Sequence, residues 1–393
     1  MASILVLASW YPNKDDLFNG DFVERHVKAS ALYQKVQLIF IMKSDSLKHG
    51  QEHIEKTVDG NLVCYKAYYG CKHPIKIIEQ FLSNNKYNNL QKKLIATVIE
   101  DYGLPSVVHV HMAMKAGPGA LYLKRKYSVP YVVTENWTGY YPSSVPNLGD
   151  YNAWYRLQVR KVLAGADLFL PVTDDLGALV VKTITPVKYQ VVPNVVDTDK
   201  FYYQPAQKRD RFRFIHASYL NYQKNPEAIL RATARLVEHG FEFDLWLVGR
   251  KAPDLEELSR SLNITSFVTF KAAIPYGEVA NLMRESSALL LFSRFENLPC
   301  VVLEALCSGL PVVSSRVGGI AEVIDDSNGL LVDPSDEIEL ANSMKTMIEN
   351  YDRYDRTSIA KRASGKFSYQ VVGRTFNEIY LGLLAKNGDQ PRK

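Results

Sequence analysis

Short apolar runs of strand length alternate with longer stretches of helical periodicity along nearly the whole chain. No other feature limits the fold as much. Strands buried on both faces read as continuous apolar runs, and a helix between successive strands makes them run parallel. Runs at residues 4–8, 36–42, 107–110, 131–134, 167–172 and 189–192 form one series. Runs at 212–217, 245–248, 268–270, 288–292 and 311–314 form a second, opened by a polar stretch at 204–210. A chain of 393 residues is long enough for two such sheets. The expected class is α/β with two parallel-sheet domains. In such sheets ligands sit beyond the carboxyl ends of the strands, so the residues that follow each run are the candidates for function.

One stretch concentrates the chemistry. Residues 287–315 read as strand, polar loop, short helix, tight stop and strand. Pro299 suits the first helical turn, where its missing N–H is no loss. Gly309 suits a left-handed stop, and Pro311 prevents continuation. Glu296 lies in the loop and Glu304 on the helix, roughly 8 Å along its axis from Pro299. Between them lies the helix N-terminus, with outward N–H groups and the positive end of the dipole. A sugar–diphosphate–ribose ligand has the matching layout, because carboxylates accept well from paired hydroxyls. Two glutamates on a solvated helix face are the plain alternative.

The string from Glu296 through Asn297-Leu298-Pro299 to Glu304 and on to Val313 resembles the signature of the family 4 retaining glycosyltransferases. The resemblance implies the GT-B fold, with two facing Rossmann-like domains and a cleft between them. It implies that Glu296 faces the donor sugar and Glu304 the ribose hydroxyls. The backbone at Asn297, Leu298 and Pro299 would approach the sugar and diphosphate. The string from Pro193 and Asn194 to Asp197 and Phe201 resembles the family's hinge. Expected domains are 1–196 and 197–367, with a last helix at about 368–385 returning to the first. That helix has an apolar stripe of Val371, Val372, Phe376, Ile379, Tyr380, Leu383 and Leu384.

Other positions follow from strand ends and the same resemblance. Gly20 opens a helix in a loop that lies over the donor phosphates in the family. His111 ends a strand, as a cleft residue or a structural histidine. Asn136 stands where the family usually has a His that contacts the sugar; it hydrogen-bonds a hydroxyl but carries no proton. Lys224 matches the family's diphosphate lysine, while Tyr219 falls near the place of its arginine. Arg250 after Gly249, or Arg294, is expected to compensate. Ala272 lies where the nucleobase meets the backbone. Residues 138–150 form a long aromatic loop, a place for an acceptor.

Net charge is +5 and charged residues make up 23% of the chain, too little basic excess for nucleic acid. The expected partners are a nucleotide-diphosphate sugar and a glycan or lipid-linked acceptor. Residues 72–93 read as a helix with one face in the core, or as one lying on a membrane. No apolar run reaches the length of a span, and the N-terminus reads as a buried strand. The four cysteines lack metal or redox spacing and read as reduced thiols of a cytoplasmic protein. No D-x-D metal site is evident, and no metal or other cofactor is expected. The alternative activity is a catalytically silent nucleotide-sugar-binding scaffold of the same fold.

Overall fold

The computed structural model describes residues 1–205 and 211–388. The polar opening expected at 204–210 and the frayed end expected at 386–393 lie mostly outside these residues. The chain forms two compact units: Met1–Tyr140 with Pro146–Val195 and the chain from Tyr369, and Val196–Ser368 with Tyr141–Val145.

The first unit runs β1 (Ser3–Ala8), α1 (Asp21–Ala31), β2 (Lys35–Lys43), β3 (Glu52–Asp59), β4 (Leu62–Tyr69), α2 (Lys76–Tyr102), β5 (Val107–His111), α3 (Gly117–Tyr127), β6 (Tyr131–Glu135), α4 (Ala153–Ala164), β7 (Leu168–Pro171) and α5 (Asp174–Thr183). Its sheet has the order β3-β4-β2-β1-β5-β6-β7. The central strands β1 and β5 pair in parallel with Leu5 opposite Val108. The polar stretch after β2 forms an antiparallel hairpin, β3 on β4, at the sheet edge. Its outer strand is largely exposed, which explains why it carried no apolar run. The strand expected at 189–192 is reduced to a single bridge from Tyr189 to Phe169.

The second unit runs β8 (Phe212–Ala217), α6 (Pro226–Glu238), β9 (Phe243–Val248), α7 (Pro253–Ser261), β10 (Val268–Lys271), α8 (Tyr276–Arg284), β11 (Ala288–Leu291), α9 (Cys300–Cys307), β12 (Val312–Ser315), β13 (Gly329–Val332), α10 (Glu337–Glu349) and α11 (Arg356–Phe367). Its sheet, β10-β9-β8-β11-β12-β13, is parallel throughout. The final helix, α12 (Tyr369–Gly388), packs on α1 of the first unit. Val372, Phe376, Ile379 and Tyr380 from its apolar stripe join the core formed by β1, β2 and α1.

Three imidazoles lie inside that core. His109 and His111 point to one side of β5, as strand periodicity requires, with ring centroids 4.2 Å apart. His26 of α1 lies 5.5 Å from His111. His109 bonds the hydroxyls of Tyr380 at 2.6 Å and Thr134 at 2.7 Å, and His26 donates to the Pro193 carbonyl at 3.0 Å. Burial keeps all three neutral: His26 is pushed down to about 4, and His109 and His111 lie well below the usual imidazole value. The unfolded chain takes up these protons near pH 6.5, before the folded one does. Stability present above that pH is therefore lost as pH falls toward about 4, by roughly 3 kcal/mol for His26 alone.

Burial also pushes the Glu135 carboxyl up to about 7. It acts in the opposite sense, adding stability as pH falls from about 7 through the normal carboxyl range. Three histidines outweigh one glutamate. Among the described residues of the second unit the comparable group is His216, pushed down to about 4 by burial. Hydrogen exchange at pH 7 and pH 5 is expected to show protection lost in β1, β5 and α12 before β8 and β11. Equal loss in both sheets would contradict this.

Candidate active site

The strand–loop–helix stretch folds as its local chemistry directs. Pro299 caps α9 with extended backbone, φ −68° and ψ 124°; no side chain caps this end, and no acid occupies its first turn. Gly309 stops the helix at φ 72°. A Cβ there would come within 2.7 Å of the Arg356 carbonyl, so the stop needs glycine for space as well as conformation.

Glu296 and Glu304 are each only 5% exposed, which excludes a solvated pair on a helix face. The Lys224 ammonium forms an ion pair with Glu296 Oε1. Gln223 Nε2 lies 3.4 Å from the other Glu296 oxygen and donates to the Phe295 carbonyl at 3.0 Å. Lys224 is delivered by the short turn Tyr222–Lys224, capped by the Asn221 side chain. The loop before that turn is fixed from below by His216, which bonds the Leu290 carbonyl at 2.9 Å and the Ser218 hydroxyl at 2.7 Å. Glu304 accepts from the Tyr276 hydroxyl at 2.9 Å, and the Tyr276 ring packs 4.8 Å from Phe201.

Gly318 supports the loop from the other side. Its φ is +51°, and a Cβ would lie 2.2 Å from the Glu296 carbonyl oxygen. Gly319 N–H then donates to the Asn297 carbonyl at 3.0 Å. The two glycines thus set the height of the Glu296–Asn297 backbone. Leu298, like Asn297, is buried. Gly249 has a similar role, since a Cβ would meet the Ser218 carbonyl at 2.2 Å. Ala272 follows the end of β10 and is exposed.

The two candidate arginines differ. The Arg250 guanidinium lies 5.0 Å over the Tyr219 ring, so it brings a cation to the position where the resemblance leads one to expect an arginine. Arg294 is held by Tyr222, over whose ring it lies at 4.3 Å and to whose carbonyl it donates. It lines a cavity of about 400 Å³ with Asn225, Phe292, Ser335 and Glu337, a set that contains neither Glu296 nor Lys224.

In the first unit, Gly20 caps α1 at φ 65° and is packed against the Trp10–Tyr11 backbone, where a Cβ would come within 2.6 Å. Close chain packing alone is enough to require glycine there. His111 is fully enclosed, and neither ring nitrogen has a hydrogen-bond partner among the described residues. Its place is the histidine cluster. Asn136 donates to the Asn194 side chain at 2.6 Å, which ties the turn after β6 to the chain leaving this unit. Sequence reasoning passed over Glu135. Its carboxyl accepts from the Ala113 N–H at 2.7 Å and the Tyr140 hydroxyl at 2.8 Å, and so fastens two strand-end loops together. The aromatic stretch beyond is not a bare loop: Trp137 packs on Tyr140 and Tyr151, at 5.5 and 5.7 Å.

The chain is similar to known proteins. The family profile described as "Glycosyl transferases group 1" matches residues 198–364, and "Glycosyltransferase Family 4" matches 63–200. A D-inositol 3-phosphate glycosyltransferase of Corynebacterium kroppenstedtii is 29% identical over 176 residues, 42% of this chain and 39% of its own length. This chain thus spans about two-fifths of that relative. The sucrose-phosphate synthase structure from Thermosynechococcus elongatus aligns with 98% of this chain and all of its own, at TM-score 0.76 and 17% identity. Anabaena HepE in complex with UDP aligns with 97% of this chain and all of its own, at TM-score 0.73 and 16% identity. With two parallel-sheet units, the acidic pair around α9 and both family matches, the chain belongs to glycosyltransferase family 4 and has the GT-B fold.

Proposed function

We propose that this protein is a retaining glycosyltransferase. It moves a hexose-type sugar from a nucleotide-diphosphate donor to a glycan or lipid-linked acceptor, in building a surface polysaccharide. The observation that carries this reading is the buried Glu296 carboxylate before α9, ion-paired with the half-buried Lys224, with Glu304 on the helix itself held by Tyr276. When the bond from the sugar's anomeric carbon to the diphosphate breaks, negative charge grows on the leaving oxygen. Lys224 and the α9 N-terminus stabilise that charge, with Arg250 close to Tyr219 as a further cation. Glu296, already neutralised by Lys224, orients the sugar hydroxyls rather than attacking carbon. Glu304 takes the ribose hydroxyls, and the backbone near Ala272 the base. No step is assigned to a metal. Among the described residues no helix is long and apolar enough to cross a membrane. In this reading a lipid-linked acceptor is met at the cytoplasmic membrane surface.

The test is a thermal-shift screen of UDP-, GDP- and ADP-sugars, with and without EDTA. UDP-sugars come first because HepE, of the same fold, was seen with UDP. A donor at one hundred times its Kd stabilises the folded state by about 2.7 kcal/mol, and EDTA should leave the shift unchanged. No shift with any donor would overturn the reading. A shift without transfer or hydrolysis would favour the scaffold alternative, which the replacement of the usual His by Asn136, tied to Asn194, also favours.

A further inference from the structure

The helix layer of the first unit carries a surface that the donor site does not use. A groove of about 520 Å³ runs between α3 and α4, closed on one side by Lys92 of α2. Lys92, Arg125, Lys126 and Lys161 line it, together with Tyr122 and Trp154. None of these four cations is ion-paired with a carboxylate among the described residues. Indeed α3 and α4 contain no Asp or Glu, while Lys124, Arg125, Lys126, Arg156, Arg160 and Lys161 all fall on them. Two cations lean on Tyr122 instead: Lys92 lies 5.9 Å and Lys126 5.5 Å from its ring. Such a concentration of one sign attracts an anionic partner.

The apolar side chains beside it narrow the choice of partner. Trp154, at the groove's edge, is 55% exposed. On α2, Ile77 is 79% and Phe81 64% exposed, and Ile78 and the capping residue Ile75 are exposed as well. Phe81 and Lys92 are eleven residues apart on α2, three helical turns, so both face one way. Ile77 lies roughly 22 Å from Lys92 along that axis. One face thus offers bulky apolar side chains at one end and unpaired cations at the other. A free phosphate has no use for the first, and nucleic acid gains little from exposed isoleucines. A bilayer with anionic headgroups uses both, since apolar side chains enter the headgroup–acyl boundary while cations meet the phosphates.

We propose that the α2–α3–α4 face of the first unit docks on an anionic lipid surface. Ile77, Ile78, Phe81 and Trp154 insert, and Lys92, Arg125, Lys126 and Lys161 meet lipid phosphates. The proposal deepens the membrane contact given above and rests on it. The experiment is co-sedimentation of the full chain with vesicles of phosphatidylcholine alone or mixed with phosphatidylglycerol. The full chain should sediment with the mixed vesicles and not with phosphatidylcholine. The double variant K126E/K161E should lose at least about thirtyfold in partitioning, from about 1 kcal/mol per cation removed, with repulsion of the new carboxylates adding to it. The variant F81S/W154S should lose about tenfold while keeping its preference for anionic vesicles.

Equal binding to both vesicle types, or variants that bind like the native chain, would overturn the proposal. So would a thermal shift with inorganic phosphate, or a gel shift with duplex DNA, abolished by K126E/K161E; these outcomes mark a small-anion or nucleic-acid site. Each variant is checked for native melting temperature and for the donor-induced shift in the absence of lipid. That donor shift reports the second unit's site. Its absence in the native chain would sink the glycosyltransferase reading without touching the vesicle result.

Discussion

Lys224→Ala is expected to lower turnover by about 10²–10³-fold, the usual effect of removing one group that meets developing charge. Stability should fall as well. Glu296 is 5% exposed and has Lys224 as its ion-pair partner, so the variant leaves a carboxylate enclosed without its counter-charge. Breaking a buried pair from one side is destabilising by about 3–5 kcal/mol, and the partial exposure of Lys224 places this one toward the lower end. The double variant K224M/E296Q separates the two effects. With both charges gone, the desolvation problem disappears and the melting temperature should return most of the way, while transfer stays lost. Measured by thermal melting and transfer kinetics side by side, recovery of both together would mean that the pair only stabilises the fold. Full activity in Lys224→Ala would remove it from the mechanism.

Gly318→Ala is expected to be the most damaging change that touches no ligand. The added methyl group would lie 2.2 Å from the Glu296 carbonyl oxygen, in a backbone at φ +51° that side chains rarely adopt. Either strain alone is destabilising by about 1–3 kcal/mol. The clash is with backbone, so it cannot be relieved by rotating a side chain. The Glu296–Asn297 segment has to move, and a shift of about 1 Å in a positioning group lowers rate by about 10²-fold. Gly60→Ala is the control, because it has a similar φ of +55° but nothing within 4 Å. It should melt lower, from conformational strain, and keep its rate. If both variants lost activity equally, the close approach at Glu296 would not be the cause.

Much of the stretch around α9 is written locally. Pro299 and Gly309 mark the start and stop of α9 within a residue, because capping and left-handed backbone depend on the residues at those positions. Residues 44–61, a polar stretch, read as either loop or hairpin, and local sequence did not choose between them, for the opposite reason. An exposed edge strand such as β3 has no apolar face to reveal it, and only pairing with β4 makes it a strand. His111 and Gly20 show a different limit. A strand-end histidine and a loop glycine look the same in sequence whether they face a ligand or pack inside. Here the neighbours decide: Phe376 and Tyr380 of α12 complete the histidine cluster, and the Trp10–Tyr11 backbone lies against Gly20.

The sequence by itself determined the two parallel sheets, the short helix at Pro299 and the two acidic residues around it. Apolar periodicity, caps and breakers act over a few neighbouring residues. Only the tertiary structure decided that Glu296 pairs with Lys224, 72 positions away, that Gly318 rests on the Glu296 backbone, and that Tyr276 holds Glu304. Those contacts join different strand ends. They exist because parallel pairing brings the carboxyl ends of β8, β11 and β12 to one edge of the sheet. No local property of any one segment encodes which side chains then meet.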